Sequence, residues 1–483
     1  MKAKKILVFM LIVVLLLITL FGMNSVTSMD NLAYVVAVGF DIKDTGKLEL
    51  SFQIALPSGS EGGSSGSSSS QSSSSIVTSV ECNSFESGVN LVNSYLSKEL
   101  NLSHCKAVVF SEEIASQGIG EYLYTLINHV EIRPTCNVII SKCNAKYFLN
   151  NSSPMLDQLS SKYYEIASTS ERVTGYTYNI TLLDFFSDFA DSFTESFATL
   201  GSVNDGDISS SGSNNDSSNS SSSRSNNNSA NSSSNGSNSD QSSSSLSSEG
   251  TDDSYVASET PIDSQKNIEN LGLAVFKGDK LVGELNGVEC ISHLILTNEL
   301  ENAVISVPSP FESTNYIDLY LTNSKCKTKV YLTNGTPYIK PSIDLSARII
   351  SMSDDYKDLT EENIELIEEY AKYYVERFIY DYLYKTAKVF KSDITAFGKY
   401  AVSNFATIDE WNDYNWLDNY QNSFFNVDIN VDIVSRYLLI DTWLKYYLYT
   451  FFRLKWLTKI IFMYIIYVEN GETTNVVASR FEL

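Results

Sequence analysis

Positive charge is scarce in this chain of 483 residues: 34 Lys and Arg stand against 58 Asp and Glu, a formal net charge of −24. Nucleic-acid binding needs clustered Lys and Arg, so that class is set aside. Taken as an average, the charge also repels anionic lipid, so a membrane tether should be hydrophobic. Histidine is rarer still. His104, His129 and His293 are the only ones, and none has a partner at metal-ligand spacing. The six cysteines (Cys82, Cys105, Cys136, Cys143, Cys290, Cys326) form no CxxC pair. They read as buried small hydrophobes, with a disulfide left open in an oxidising compartment. The phosphate loop GxxxxGK[ST] is absent. Gly62 to Gly66 matches G-x-S-x-G, but inside a serine tract that offers no strand before it and no helix after it.

Catalytic pairs are missing as well. His104 precedes Cys105 at the mouth of a strand, where neighbours point to opposite faces and cannot act as base and nucleophile. Asp428 and Asp432 share one strand face with no sign of a cleft, and a glycosidase needs carboxylates that face each other across one. Glu112-Glu113 and Glu361-Glu362 read as helix-start charges. No enzyme, cofactor or metal site is expected from these residues.

Hydrophobic length is present at the N-terminus. Lys2, Lys4 and Lys5 precede an apolar run from Ile6 to Phe21, broken only by Thr19. The run is long for a signal peptide and short for a spanning helix. The basic end should stay in the cytoplasm, which sends the rest outward. We read residues 1–28 as an uncut anchor, with cleavage after Ser28 as the alternative. Leu20 to Met23, "LFGM", imitates the lipoprotein box L-x-G-C, but Met23 has no thiol to carry a lipid.

Two low-complexity stretches divide the remainder. Residues 58–75 are almost all Ser and Gly, and 201–265 are mainly Ser, Asn, Asp and Gly. Neither buries enough apolar area to offset chain entropy, so both read as flexible. Residues 29–200 form the first expected unit. A Val-rich strand from Leu32 to Asp41, apolar on both faces, turns at Gly46 into the alternating strand Leu48, Leu50, Phe52, Ile54. A helix with Val89, Val92, Tyr95 and Leu96 on one side follows. "CKAVVFSEEIA" is a strand leading into another helix, "CNVIISKC" is a further strand, and Leu182 to Phe193 is an amphipathic helix.

Residues 266–438 form the second expected unit. Gly272 to Leu285 is a hairpin with Gly278-Asp279 at its tip. "YIDLYL", "TKVYL" and "SIDLSARII" predict three strands. A long helix capped by Thr360 carries the stripe Ile364, Ile367, Ala371, Tyr374, Phe378, Tyr382. Lys385, Lys388 and Lys391 near its end suit the helix dipole. A last strand turns Val427, Ile429, Val431 and Ile433 inward. Residues 439–483 are apolar and aromatic, interspersed with Lys445, Arg453, Lys455 and Lys459. That tail reads either as an interfacial helix or as a divergent end without function. The class is α+β, with mixed and antiparallel sheets and packed helices in two or more extracytoplasmic domains, plus an N-terminal membrane helix.

Several blocks in order resemble the C subunit of spore nutrient germinant receptors, the Ger(x)C family. "LAYVVAVGFDIKDTGKLELSFQIALPS" resembles its opening block. "LSHCKAVVFSEEIASQGIGEYL" is similar to its His-x-Lys strand, here His104 and Lys106. "HVEIRPTCNVIISKCNAKYFL" continues it with Glu131 and Arg133. "GLAVFKGDKLVGEL" supplies Gly272, Phe276 and Gly283, and "KSDITAFGKYA" supplies Asp393 and Gly398. Met23 stands where the family's lipid cysteine would be. The resemblance implies a non-enzymatic, lipoprotein-like receptor subunit, anchored on the outer face of the spore inner membrane. Its implied partners are a multi-spanning A subunit and a transporter-like B subunit, and it would meet a nutrient only through that complex. A stand-alone exported protein that binds a small ligand or glycan is the alternative.

Overall fold

In the computed structural model, residues 9–13, 31–56, 75–152, 162–165, 172–205, 254–262, 267–312, 314–352 and 361–435 are described. Residues 9–13 are helical, and no described helix is long and apolar enough to cross a membrane. Met23, the Gly62–Gly66 match, residues 57–74, 206–253 and 263–266 of the two polar stretches, the Thr360 cap and the tail after 435 lie outside the described residues. At the margins of the second stretch, 201–204 lie in a strand and Ala257 is buried. The fold is α+β with mixed sheets.

The first sheet grows outward from β1 (Leu32–Ile42). A β hairpin leads to β2 (Leu48–Ala55), and β3 (Ser75–Cys82) pairs antiparallel with β2. The short β4 (Glu99–Asn101) lies parallel to the start of β1, and β5 (Ala107–Ser111) to its second half. Then come β6 (Asn137–Ser141) and β7 (Phe197–Asn204), both parallel. A central parallel strand must bury both faces, which explains the unbroken apolar runs of β1 and β5.

Helices cover both faces of this sheet. One side packs Phe40, Val108, Phe110 and Val138 against α1 (Phe85–Tyr95), α2 (Glu112–Gln117) and α3 (Gly120–Asn128). The other side packs Ala37, Val109 and Ile139 against α4 (Ala145–Asn151). The start of α4 is fixed by Asp41, whose carboxylate accepts from Ala145 N at 2.7 Å and Lys146 N at 2.9 Å. In α1 Val92 is buried, but Tyr95 lies outside the core and reaches Thr78 through its hydroxyl at 2.7 Å. The helix expected over Leu182–Phe193 is α5 (Leu182–Phe189). It stops four residues early, and Asp191 then accepts from Ser192 N and Phe193 N.

The hairpin β8 (Asn267–Lys277) and β9 (Lys280–Leu285) departs from the sequence reading most. It follows the 201–265 stretch, yet it completes the first sheet by pairing β8 antiparallel with β7. The polar stretch interrupts the sequence without interrupting the sheet.

The second sheet contains β10 (Asn302–Pro308), β11 (Tyr316–Thr333), β12 (Thr336–Met352), β13 (Phe424–Phe425) and β14 (Asp428–Ser435). "YIDLYL" and "TKVYL" are one strand, not two. The register irregularity between Thr322 and Lys325 carries β11 across the polar break. Asn334 and Gly335, both at positive φ, turn it into β12. Two helices pack on this sheet, α6 (Gly287–Thr297) and α7 (Glu361–Tyr384). The stripe of α7 is Ile364, Ile367, Ala371, Val375, Ile379 and Tyr382. Tyr374 and Phe378 sit at its half-buried margin, because the periodic stripe continues through the β-branched neighbours that follow them.

The three lysines after α7 are not simply dipole partners. A π-helical turn, Lys385–Phe390, extends the helix. Lys385 pairs with Glu289 of α6 at 2.8 Å. Lys388 donates to the carbonyls of Gln421 and Ser423 at 2.7 and 3.1 Å. Lys391 ends the turn in the left-handed region at φ 55°.

Candidate functional site

The residues singled out from the sequence fall in two places. His104, Lys106, Glu131 and Arg133 lie on turns at one end of the first sheet. β5 begins only at Ala107, so the His-x-Lys pair precedes the strand. His104 is exposed and meets Tyr34 edge-on, with ring centres 5.0 Å apart. Cys105 turns inward and is buried while His104 faces solvent, so the two side chains diverge, on a turn and not by strand alternation. Lys106 is stitched into the sheet by its backbone, donating to Val36 O at 2.7 Å and accepting from Asn137 N at 2.8 Å. Its ammonium pairs with Glu165 at 2.7 Å. Glu131 accepts from Leu102 N at 2.8 Å. Arg133 is exposed, and its carbonyl accepts from Cys136 N at 3.1 Å. Among the described residues no hydrogen bond or ion pair joins the four side chains; they fold turns separately.

Phe276, Gly283, Asp393 and Gly398 converge where the β8–β9 hairpin meets the segment after α7, and Gly272 lies within the hairpin, against Leu285. Gly272 sits at φ 89°, and a Cβ there would run into the carbonyl oxygen of Leu285. Only glycine accepts both conditions. Gly283 lets the ring of Phe390 press closely against β9, and Gly398 admits Phe193 O and the Trp416 indole. Phe276 is buried, and its ring meets Phe185 edge-on at 5.1 Å. Its carbonyl accepts from the Ser392 hydroxyl at 2.5 Å, joining the hairpin to the far segment directly.

Asp393 is the hub. It is fully buried. Its carboxylate accepts from Trp416 Nε1 at 2.8 Å, Gly398 N at 3.0 Å and Phe397 N at 3.1 Å. Its carbonyl accepts from the Thr194 hydroxyl and from Glu195 N, both at 3.0 Å. Thr194 and Glu195 precede β7, so one residue fastens the two halves of the chain. Burial lifts the Asp393 carboxyl to about 6, against the pull of its three donors. Glu195 is raised by burial too, while its carboxylate takes Gly278 N at the hairpin tip at 2.7 Å.

A second polar chain runs beside the hub. His293 of α6 is buried among Tyr178, Phe197 and Tyr382. Its Nδ1 lies 2.9 Å from the Tyr382 hydroxyl, which lies 2.7 Å from the Thr395 hydroxyl. Burial drives the imidazole down to about 3, so it is neutral at physiological pH. Ser392, Thr194, Trp416 and Tyr382 were not distinguishable in the sequence as parts of a network; a Ser or Trp beside an Asp carries no spacing signal. All six cysteines are free thiols. Cys105 is pushed up to about 12 by burial, which makes it a poor nucleophile. Among the described residues no group of three or more His, Cys, Asp or Glu could hold a metal. The junction has the chemistry of a rigid joint: a satisfied buried acid, close-packed glycines and stacked aromatics.

Residues 25–201 match the family model described as spore germination protein N-terminal domain, and residues 271–436 match the one described as spore germination B3/GerAC like, C-terminal. The chain belongs to the germinant-receptor C-subunit family. Its domains indicate a role in spore germination receptors. The boundary of the second match falls inside β8, so the family division runs through the first sheet. Among solved structures, the crystal structure of the GerBC protein aligns at 14% identity and a TM-score of 0.42, covering 82% of this chain and 97% of that one. No curated protein matches.

Proposed function

We propose that this protein is a non-enzymatic subunit of a nutrient germinant receptor, tethered at the outer face of the spore inner membrane. It works through contacts with a multi-spanning A subunit and a transporter-like B subunit. The observation that carries the reading is where the family positions fall. Four of them close a buried joint between the two halves, centred on Asp393, Gly272 closes the β8–β9 hairpin against Leu285, and the other four shape turns. Such an arrangement holds a surface rigid for partners. The N-terminal apolar run supplies a hydrophobic tether in place of the lipid that Met23 is unable to carry.

The reading is tested by isolating the full chain from spore membranes with a C-terminal affinity tag. Two integral membrane proteins should co-purify in fixed proportion. Recovery of the chain alone, with a purified sample that binds a nutrient or glycan tightly by itself, would overturn the reading in favour of a stand-alone binding protein. A cavity of about 220 Å³ lined by Arg172, Tyr178, Leu294, Glu299 and Glu301 is one place where that rival would look.

A further inference from the structure

Four lysines stand together on the face of the second sheet that turns away from the core. Lys325, Lys327 and Lys329 alternate along β11, and Lys340 lies directly opposite Lys329 on β12. All four are exposed. None makes an ion pair among the described residues. Like charges opposite each other weaken a sheet, so the Lys329–Lys340 pair works against folding. Asp344 faces Lys325, Asp428 lies beyond Ser342 in the row of Lys327, and Asp432 follows on the same face of β14, beside Ser346. The end of the face around Lys327, Lys329 and Lys340 stays net positive in a chain whose total charge is −24.

Aromatic rings continue the same face. Tyr331 pairs with Tyr338 across the hairpin, and Tyr338 stacks on Phe424 with ring centres 5.4 Å apart and planes 20° apart. These three are 51%, 43% and 56% exposed, high values for rings so close together. The Lys388 ammonium lies 5.7 Å from the centre of the Phe424 ring, adding a fifth positive charge at the aromatic end.

We propose that this face of β11, β12 and β13 is a docking surface for anionic phospholipid headgroups. Lysines attract lipid phosphates, and exposed Tyr and Phe rings suit the headgroup layer beside them. The face is a pleated sheet on which lysines and rings stand side by side, which fits a laterally uniform surface better than a polypeptide hot spot. The net negative charge does not forbid this. At physiological salt, carboxylates more than about 8 Å from the bilayer are largely screened, so the local cluster decides.

The test uses the full chain in vesicles of phosphatidylcholine, with and without phosphatidylglycerol. Lysine acetylation is read residue by residue by mass spectrometry. Lys325, Lys327, Lys329 and Lys340 should react at least about threefold more slowly on the anionic vesicles, and high salt should erase the difference. Lys280, exposed at the β8–β9 turn, should react equally on both. A K327E/K329E/K340E variant should lose the anionic preference while keeping its urea-unfolding midpoint. Equal acetylation on both vesicles would overturn the proposal. Equal protection by inorganic phosphate would reduce the face to an ion site, and lysine-dependent self-association without lipid would reassign it to a second copy. The vesicle test needs no partner subunit and no germination, so its failure leaves the receptor reading standing.

Discussion

The indole N–H of Trp416 donates to the carboxylate of Asp393 at 2.8 Å, and both residues are sealed from solvent. The same carboxylate holds the backbone of Phe397 and Gly398, so one side chain organises the whole turn after α7. Its backbone carbonyl meanwhile grips Thr194 and Glu195 from the other half of the chain.

Removing that carboxylate should therefore be costly. In Asp393→Ala, three buried donors lose their acceptor, and each orphaned group costs about 1–3 kcal/mol. A loss of at least about 3 kcal/mol in urea unfolding is expected. Asp393→Asn keeps an acceptor for one or two donors and removes a buried charge, so it should lose only about 1–2 kcal/mol. Equal effects of the two substitutions would contradict the hub geometry.

Two buried groups should give stability opposing pH slopes. The Asp393 carboxyl titrates at about 6 in the fold, above its ordinary 3.8. Its stabilising contribution is complete below 3.8 and is lost as pH rises through 6. His293 titrates at about 3, below its ordinary 6.5, so stability falls as pH drops from 6.5 towards 3. Asp188, lifted to about 6 by burial but partly exposed, adds to the Asp393 slope at smaller size. Between pH 4 and 6 the His293 slope should offset part of the carboxyl slope in the wild type. His293→Phe should make stability rise on acidification over that window, by up to about 1.4 kcal/mol per pH unit. Asp393→Asn should make it fall. Denaturant midpoints measured across pH decide this.

Glycine substitutions along the β8–β9 hairpin should separate by position. Gly272→Ala meets both positive φ and the Leu285 carbonyl, so a loss beyond the roughly 1–3 kcal/mol of backbone strain is expected. Gly278→Ala, at φ 59° with open space around it, should cost only about 1 kcal/mol. Thermal melting of the two variants makes the comparison.

Thiol labelling reports on the core. In the native chain only Cys143, which is half-buried, should react with a maleimide within minutes; the other five are buried and should react on unfolding. Fast native labelling of Cys105 or Cys136 would mean that the first sheet opens at that end.

The periodic parts of the fold were legible in the sequence. The β1–β2 hairpin, the β5–α2 passage and the inward face of β14 follow from alternation and turn residues, which are local signals. The place of the β8–β9 hairpin was not. Its pairing with β7 spans the polar stretch of residues 201–265, and strand pairing between distant segments leaves no local trace. Tyr374 and Phe378 misled because large aromatic rings on a helix margin look like core; Val375 and Ile379 behind them are the buried positions. In the hairpin and at the joint, Gly272, Gly283, Asp393 and Gly398 were found through resemblance. Their purpose is close backbone approach and donor satisfaction, neither of which spacing reveals. The lysine face was hidden by the average charge, because alternation along β11 spreads its members among residues of the opposite face.

The most direct test is germination of spores from a strain lacking this chain, followed by loss of refractility after each nutrient and after a trigger that bypasses nutrient receptors. The account predicts that the response to one set of nutrients disappears while the bypass trigger works at its normal rate. Unchanged responses to every nutrient, in spores where the protein is normally present, would contradict it.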